Sequence, residues 1–345
     1  MRRTRINHPL VGIVANPQSG RDVRRLVSQA SVFPSVEKSN MVQRILSALG
    51  SVGIREVVMM PDTGGITSRI RHTLETGKLH QEHGWPTVRF LEMPIEYAAI
   101  DTIRAVERMV ALGVAVIIVM GGDGTHRVVS KVCGDTPIVA VSTGTNNTFP
   151  EIREATVAGL AAGLVAMDKV SAAEVACQNK VLHVDLNGNG HEIALVDLCV
   201  CTDCWVGTRA LWEPDHLREL FVTFASPSAI GLSAIAGYLH PVKRWAPYGL
   251  RMNLVPPGEG MFTVSVPIAP GLMKDVGVSH LAELRPKEIC AFRTCSGTIA
   301  FDGERDLEFN GRDRPRVWLD LEGPITIDID RVMAKAAEDH LFCAR

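Results

Sequence analysis

Asp123 lies in Gly121-Gly122-Asp123-Gly124-Thr125, directly after the apolar run Val116–Met120. A carboxylate so placed can take a proton from a hydroxyl, the act of a general base. The surrounding glycines can adopt φ > 0 and let a ligand approach the backbone. Free N–H groups where a turn opens a helix suit a phosphate. Gly-rich strand-to-helix turns also occur simply as turns, so this stretch by itself leaves both readings open.

Two further polar turns share that character. Asn16-Pro17-Gln18-Ser19-Gly20-Arg21-Asp22 follows a short apolar run. There Asn16 can hold a nucleotide oxygen and Gly20 admits close approach, or Asn16 makes an Asx turn that caps the next segment. Ser142-Thr143-Gly144-Thr145-Asn146-Asn147-Thr148-Phe149-Pro150 gathers hydroxyl and amide groups around one glycine. These groups hydrogen-bond phosphate or sugar oxygens without adding charge, or they cap the helix that follows. Late in the chain, Asp302-Gly303-Glu304 fits either a strand-end turn or a pair of acids reaching a cleft between domains.

The hydrophobic pattern says which elements must position these groups. Strands are expected at Val11–Ala15, Val57–Met60, Thr87–Leu91, Ala115–Met120 and Ile138–Val141. Helical spacing appears over Asn40–Leu49 and Tyr97–Leu112. Alternating strands and helices predict a parallel sheet covered by helices on both faces. Ligands of such sheets bind beyond the carboxyl ends of the strands, where the turns at 16–21, 121–125 and 142–147 all fall. A linker helix is expected over Ala155–Met167. The pattern then changes. Lys180–Leu186 and Glu192–Cys201 flank Asn187-Gly188-Asn189-Gly190, a strong hairpin signal. Ser226–Tyr238 is expected as a helix opened by Ser-Pro. Short strands separated by Pro/Gly turns fill 251–329, and Asp330–Phe342 is a last helix able to dock on the first domain. The predicted division is an α/β nucleotide-binding domain over 1–150, an antiparallel β domain over 151–329 with the helix 226–238 inserted, and a C-terminal helix over 330–345.

Composition narrows the function classes. The formal net charge is −2 and there is no long basic block, which argues against nucleic acid as a partner. No stretch is long enough to span a bilayer, and the apolar run at Leu10–Val14 is too short for a secretory signal; a cytoplasmic protein is expected. Eight scattered cysteines are expected as free thiols. Cys201-Thr-Asp-Cys204, with Cys199 before it, has redox spacing but no partner motif for zinc, and reads as packed thiols at the end of a buried strand. No P-loop pattern is present.

In their combination and order, Asn-Pro-x-x-Gly at 16–20, Gly-Gly-Asp-Gly-Thr at 121–125, Thr-Gly-Thr-Asn-Asn at 143–147 and Asp-Gly-Glu at 302–304 resemble the NAD kinase / diacylglycerol kinase superfamily. The Ser-Thr-Gly-Thr-Asn-Asn version looks most like the acetoin-catabolism protein X branch, described as ATP-NAD-kinase-like. The resemblance implies an N-terminal α/β domain, a C-terminal β-sandwich and a cleft between them. It implies Asp123 as base on an acceptor hydroxyl, with Gly121, Gly122, Gly124 and Thr125 cradling phosphates. Asn16, Gly20, Arg21, Thr143, Gly144, Thr145, Asn146 and Asn147 would help hold the nucleotide, and Asp302 and Glu304 would bear on nucleotide or Mg²⁺ positioning.

The chain departs from NAD kinases on the acceptor side. Where those enzymes carry Asn before an acid on a strand of the second domain, this chain has Val196 before Asp197. Their Thr-Pro-Thr-Gly-Ser-Thr-Ala-Tyr stretch is matched by Ser226-Pro227-Ser228 only at its start. Polar contacts of this kind carry specificity, so their loss bears on NAD as acceptor.

The resemblance therefore implies a kinase using ATP and Mg²⁺, with NAD or a related ribose- or polyol-bearing acceptor. Two alternatives are a non-catalytic nucleotide-binding regulator and a lipid kinase. For the latter, Trp212, Phe221, Phe224 and Trp245 would form an apolar entry unless they pack in the core. Arg21 and Arg127 are close enough in sequence to assist charge neutralisation but are expected as solvated surface arginines, and His126 as a helix-start residue. A homo-oligomer, dimer or tetramer, is the expected assembly.

Overall fold

The computed structural model describes residues 8–19, 33–77, 84–144, 147–186, 190–206, 211 and 213–343. The first half alternates β1 (Leu10–Ala15), α1 (Ser35–Ser51), β2 (Glu56–Met59), α2 (Ile66–Thr76), β3 (Thr87–Phe90), α3 (Ala99–Ala111), β4 (Val116–Gly121), α4 (Asp123–Ser130), β5 (Ile138–Ser142) and α5 (Ala155–Ala166). A short helix α6 (Ala172–Val175) then leads to β6 (Ala176–Gln178). β1 to β5 pair in parallel. They form one sheet with β6 and with β18 (Ile325–Ile327), in the order β3-β2-β1-β4-β5-β18-β6.

β4 shows why these residues make a central strand. Every one of its side chains is buried, as a strand covered on both faces requires. Val116, Ile118 and Met120 join one core with α1, α2, α5 and the last helix α8 (Ile329–Glu338). Ile117 and Val119 point the other way, into a second core with Ala105, Val106 and Met109 of α3 and Val129 of α4. Leu195, Val196 and Phe224 from the second half also enter that second core, so the two halves share apolar packing.

The second half is antiparallel. β9 (Asp197–Cys201), β10 (Leu217–Val222), β11 (Gly249–Val255), β12 (Phe262–Ala269), β13 (Leu272–Leu284), β15 (Gly297–Phe301) and β16 (Glu304–Phe309) form a seven-stranded sheet. β7 (Val181–Leu186), β8 (His191–Ala194), β14 (Cys290–Ala291) and β17 (Pro315–Asp320) form a four-stranded one. Leu182, Val184, Val317 and Leu319 of the smaller sheet pack on Leu198, Val200, Ile299 and Phe301 of the larger, giving a sandwich. The NAD kinase-like architecture expected from sequence is thus present.

Three expectations need correcting. First, the parallel sheet does not stop at residue 150. α5 packs on it, and β6 and β18 extend it, so residues 151–178 and 325–338 complete the first domain. Second, Glu192–Cys201 is not one strand. β8 and β9 belong to different sheets, and the amides of Leu195 and Val196 between them are taken by the Asp302 carboxylate (3.0 and 2.8 Å). Third, the helix expected over 226–238 is confined to α7 (Ser233–Leu239). Ser226 to Ala229 is a turn, with Ala229 N–H donating to Ser226 O at 3.1 Å, and Gly231 at φ 95° excludes a continuous helix.

The predicted hairpin is present as the β7–β8 pair, though Asn187–Asn189 lie outside the described residues. Cys199 and Cys201 are buried in β9, and Cys204 is exposed beyond it. A hydrogen bond to Cys201 and burial both hold the Cys199 thiol well above its ordinary pKa, so Cys199 is a packed thiol rather than a nucleophile. Among the described residues, no helix is long and apolar enough to cross a membrane.

Candidate functional site

The chain leaves β1 towards β2 on one side and later adds β4 on the other. Connections therefore diverge between the carboxyl ends of β1 and β4, the place where an open α/β sheet forms a crevice. Asn16–Ser19 and Gly122–Thr125 lie at those two ends, with Gly144 and Asn147 beyond β5. All of these residues line one cavity of about 750 Å³; Gly20, Arg21, Thr145 and Asn146 lie outside the described residues. Asp302, Glu304 and Asp306 of the sandwich close its other wall.

Many of the predicted nucleotide ligands hold one another. Asn16 Nδ2 donates to Thr125 Oγ1 at 2.8 Å, and its Oδ1 accepts from Gln18 N–H at 2.8 Å, the Asx turn. Ser19 and Thr143 hydroxyls bond at 2.7 Å, and Thr143 is fully buried, outside the cavity lining. Lys38, which the sequence pattern hides inside an amphipathic helix, is also fully buried. Its ammonium donates to the carbonyls of Asn16, Pro17 and Ser19 at 2.9, 3.2 and 2.6 Å, fixing the first turn.

The glycines do a different job from the one expected. Gly121, Gly122 and Gly124 are not in the left-handed region. A Cβ on Gly121 would meet Thr125 at 2.4 Å, and on Gly122 or Gly144 it would meet Asn147 at 2.8 or 2.5 Å. Those three make room for side chains of the site itself. Gly124 is the open one, where a Cβ meets nothing closer than Glu304 Oε2 at 3.8 Å. It lies in the first turn of α4, whose leading amides have no partner within the helix and carry the positive end of its dipole.

Asp123 stands at the head of α4. Its Oδ1 accepts from the amides of Thr148 (3.1 Å) and Phe149 (2.8 Å), and its Oδ2 lies 3.0 Å from Thr148 N. Its own amide donates to Asn147 Oδ1 at 3.3 Å, while Asn147 Nδ2 donates to Ser142 Oγ at 2.8 Å. The same two residues are gripped through their carbonyls by Arg244 of the sandwich, which donates to Thr148 O at 2.9 Å and to Phe149 O. Its guanidinium lies over the rings of Phe149 and Phe224, at 4.9 and 4.5 Å. No local pattern marks Arg244; its partners lie about a hundred residues earlier.

Asp302, on the sandwich side, is another buried acid, at φ 52° with a side chain closed to solvent. It accepts from the amides of Leu195, Val196 and Asp197. Burial pushes its carboxyl up to about 6, against the pull of Arg127 and those amides. Arg127 is not the solvated arginine expected from sequence. It is buried, donates to Asp306 Oδ2 at 3.2 Å, and lies over the Phe301 ring at 5.1 Å. Its Nε and Nη1 sit 4.0 Å from Asp302 and Glu192, beyond hydrogen-bond range. His126 is fully buried beside it. Nδ1 bonds Gly122 O at 2.9 Å, and burial pulls the ring down to about 4, which suits a helix-start residue and not a base at neutral pH.

The acceptor-side candidates separate. Asp197 is buried and lines neither cavity, whereas Ser226 and Ser228 border a second groove of about 730 Å³. That groove shares Gly144 and Asn147 with the first cavity. Phe221 and Phe224 are core residues, Trp245 is exposed on the groove, and Trp212 lies outside the described residues.

Fold and cleft together define a NAD kinase-like protein: the family described as ATP-NAD kinase N-terminal domain matches residues 11–170. The family described as Acetoin catabolism protein X C-terminal domain matches residues 180–322. Acetoin catabolism protein X of Cupriavidus necator is 43% identical over 338 residues, which covers 97% of this chain and 94% of that protein. The chain belongs to the acetoin catabolism protein X family.

Proposed function

We propose that the protein is an ATP-dependent phosphotransferase acting on a hydroxyl of a small molecule. The observation that carries this is the first turn of α4. Gly124 opens into a 750 Å³ cavity beside a carboxylate, with a sandwich acid facing it across the gap. Phosphoryl transfer asks mainly for positioning and charge neutralisation, and a helix N-terminus supplies both for a polyphosphate.

Among the described lining residues, the cavity wall holds the carboxyls of Asp62, Asp101, Asp123, Asp302, Glu304 and Asp306 against the cations Arg127 and Lys131. Asp62 and Asp101 cap α2 and the start of α3, and Asp302 is spent on amides. Asp306 accepts from Arg127, so Glu304 is the sandwich acid that would meet Mg²⁺. Among the described residues no cluster of three or more His, Cys, Asp or Glu is arranged to hold a metal. That fits an ion that enters with the nucleotide, since Mg²⁺ commonly takes one or two carboxylates plus phosphates and waters. When bound, it supplies positive charge to the phosphates.

In the proposed step the acceptor oxygen bonds the γ-phosphorus as the bond to the bridging oxygen breaks. The hydroxyl proton passes to Asp123 and ADP leaves. NAD is one acceptor of this kind, and a related ribose or polyol is another. The test is a γ-labelled ATP screen with Mg²⁺ over NAD, nucleosides, sugars and hydroxy acids. Label transferred by the wild type and lost in Asp123→Asn supports the proposal, and unchanged transfer in that variant removes Asp123 from the chemistry.

One observation favours a second reading. Asp123 already accepts amides of Thr148 and Phe149, as a structural acid would. A nucleotide-binding regulator using the same cavity would bind ATP in calorimetry and yield no labelled product with any acceptor.

A further inference from the structure

The second groove is built differently from the cleft beside it. Its two sides are held together by the antiparallel bridge between Ala225 and Val242, with N–H···O distances of 2.9 and 2.8 Å. α7 presses on one of them, for a Cβ on Gly237 would meet Ser226 O at 2.3 Å. The Ser226 turn is therefore fixed by packing. Along the rim, Trp245 and Ile152 leave large apolar side chains 77% and 78% exposed. Exposed apolar surface rimmed by polar groups marks binding sites.

The charge is opposite to that of the cleft. Lys243 and Arg244 face the groove, and Glu151 is its one acid among the described lining residues. That acid is paired with Arg153 at 2.6 Å. The Lys243 ammonium stands 5.4 Å from the Trp245 ring centre and has no carboxylate partner among the described residues. Ser226 and Ser228 hydroxyls bond each other at 2.8 Å, and a pair linked by one such bond keeps one hydroxyl hydrogen to donate.

We infer that this groove binds an amphipathic organic anion: an apolar body about the size of one ring, carrying a single carboxylate or phosphate. The apolar body lies on Trp245 and Ile152, and the anionic group meets Lys243 and the serine pair. Resting on the phosphotransferase reading, this anion is the acceptor. Its own hydroxyl oxygen bonds the γ-phosphorus where the groove meets the cleft beside Gly144 and Asn147, as the bond to the bridging oxygen breaks, its proton going to Asp123 and ADP departing. A neutral polyol would form no ion pair with the lysine.

Saturation-transfer NMR on the full chain without nucleotide tests the binding, using phenyl phosphate, benzoate and neutral benzyl alcohol as probes. The two anions are expected to bind about three- to fivefold more tightly than the alcohol, the size of an exposed charge interaction. Lys243→Gln removes that preference and Trp245→Ala weakens all three probes. Equal affinities in the wild type overturn the inference. So does a Trp245→Ala protein whose only change is in oligomeric mass, since that assigns the patch to a second copy of the chain. The acceptor half is read by adding γ-labelled ATP. Label entering hydroxy acids or phosphorylated alcohols supports it, and label entering only neutral polyols or NAD overturns it. Because the probes are measured without ATP, an inert protein that still discriminates them keeps the groove assignment and loses the kinase one.

Discussion

Asp123 and Asp302 are two versions of one device. Each carboxylate accepts amides beside a neighbouring strand: residues 148–149, beyond β5, for Asp123, and residues 195–197, leading into β9, for Asp302. Each loop region is met by an arginine from the other domain. Arg244 of the sandwich grips the loop held by Asp123, and Arg127 of α4 lies by Asp302. The difference is access. The Asp302 side chain is closed to solvent, while Asp123 heads a helix whose next residue opens into the cleft. The same hydrogen bonds thus lock a closed acid in one place and, in the function proposed above, orient the proton acceptor in the other, and four substitutions separate the two.

The largest effect is expected in catalysis. Asp123→Asn retains an oxygen for the amides of Thr148 and Phe149, so the fold persists, and phosphoryl transfer drops about 10²- to 10⁴-fold. Steady-state labelling and circular dichroism on one preparation check both halves. The comparison breaks if Asp302→Asn, well folded, loses as much activity.

Next is Arg127→Met, which keeps the contact with Phe301 but removes the charge. Stripping one partner from a buried ion cluster costs about 3–5 kcal/mol, and urea unfolding should show a loss of that order. A loss under 1 kcal/mol would place Arg127 with surface pairs after all.

The third effect is a change of pH slope. Asp302 titrates at about 6 in the fold against an ordinary 3.8, so its contribution is complete below that ordinary value and is lost as pH rises towards 6. His126 titrates at about 4 against 6.5; its contribution is complete above 6.5 and is lost as pH falls towards 4. The two oppose each other across the acid range. Asp302→Asn removes the falling limb, so stability should rise more steeply with pH between about 4 and 6. An unaltered slope would mean that the three amides and Arg127 keep Asp302 ionised throughout.

The smallest is Gly124→Ala. With no neighbour inside 3.8 Å the added methyl fits, and helix propensity raises stability by up to about 1 kcal/mol. The methyl stands where a phosphate would approach, so ATP affinity should fall about tenfold, roughly 1.4 kcal/mol, by calorimetry. Unchanged affinity would move the phosphate away from this turn.

How much of this was legible depended on reach along the chain. β1, β2, β4 and β5 stand out because a strand buried on both faces must be apolar throughout, and the turns after them betray themselves by Gly, Asn and Ser. β6 and β18, three residues each, are too short to carry a period. The break after β8 is set by Asp302, over a hundred residues away, and Arg127 meets Asp306 across 179 residues. Asn16 and Thr143 show the converse: polar turn residues were visible, but which oxygen each would satisfy was not, because protein and ligand offer the same acceptors.

β18 pairs with Ile138 of β5 on one side and with β6 on the other, and α8 follows it onto the first core. The amino-terminal sheet is therefore finished by residues that follow the whole sandwich in the chain. Until residues 325–327 emerge, β5 has a bare edge and β6 no neighbour, so the whole sandwich must be synthesised while its host waits open. A chain cut after the sandwich would carry every residue of the cleft and still lack the strand that closes it.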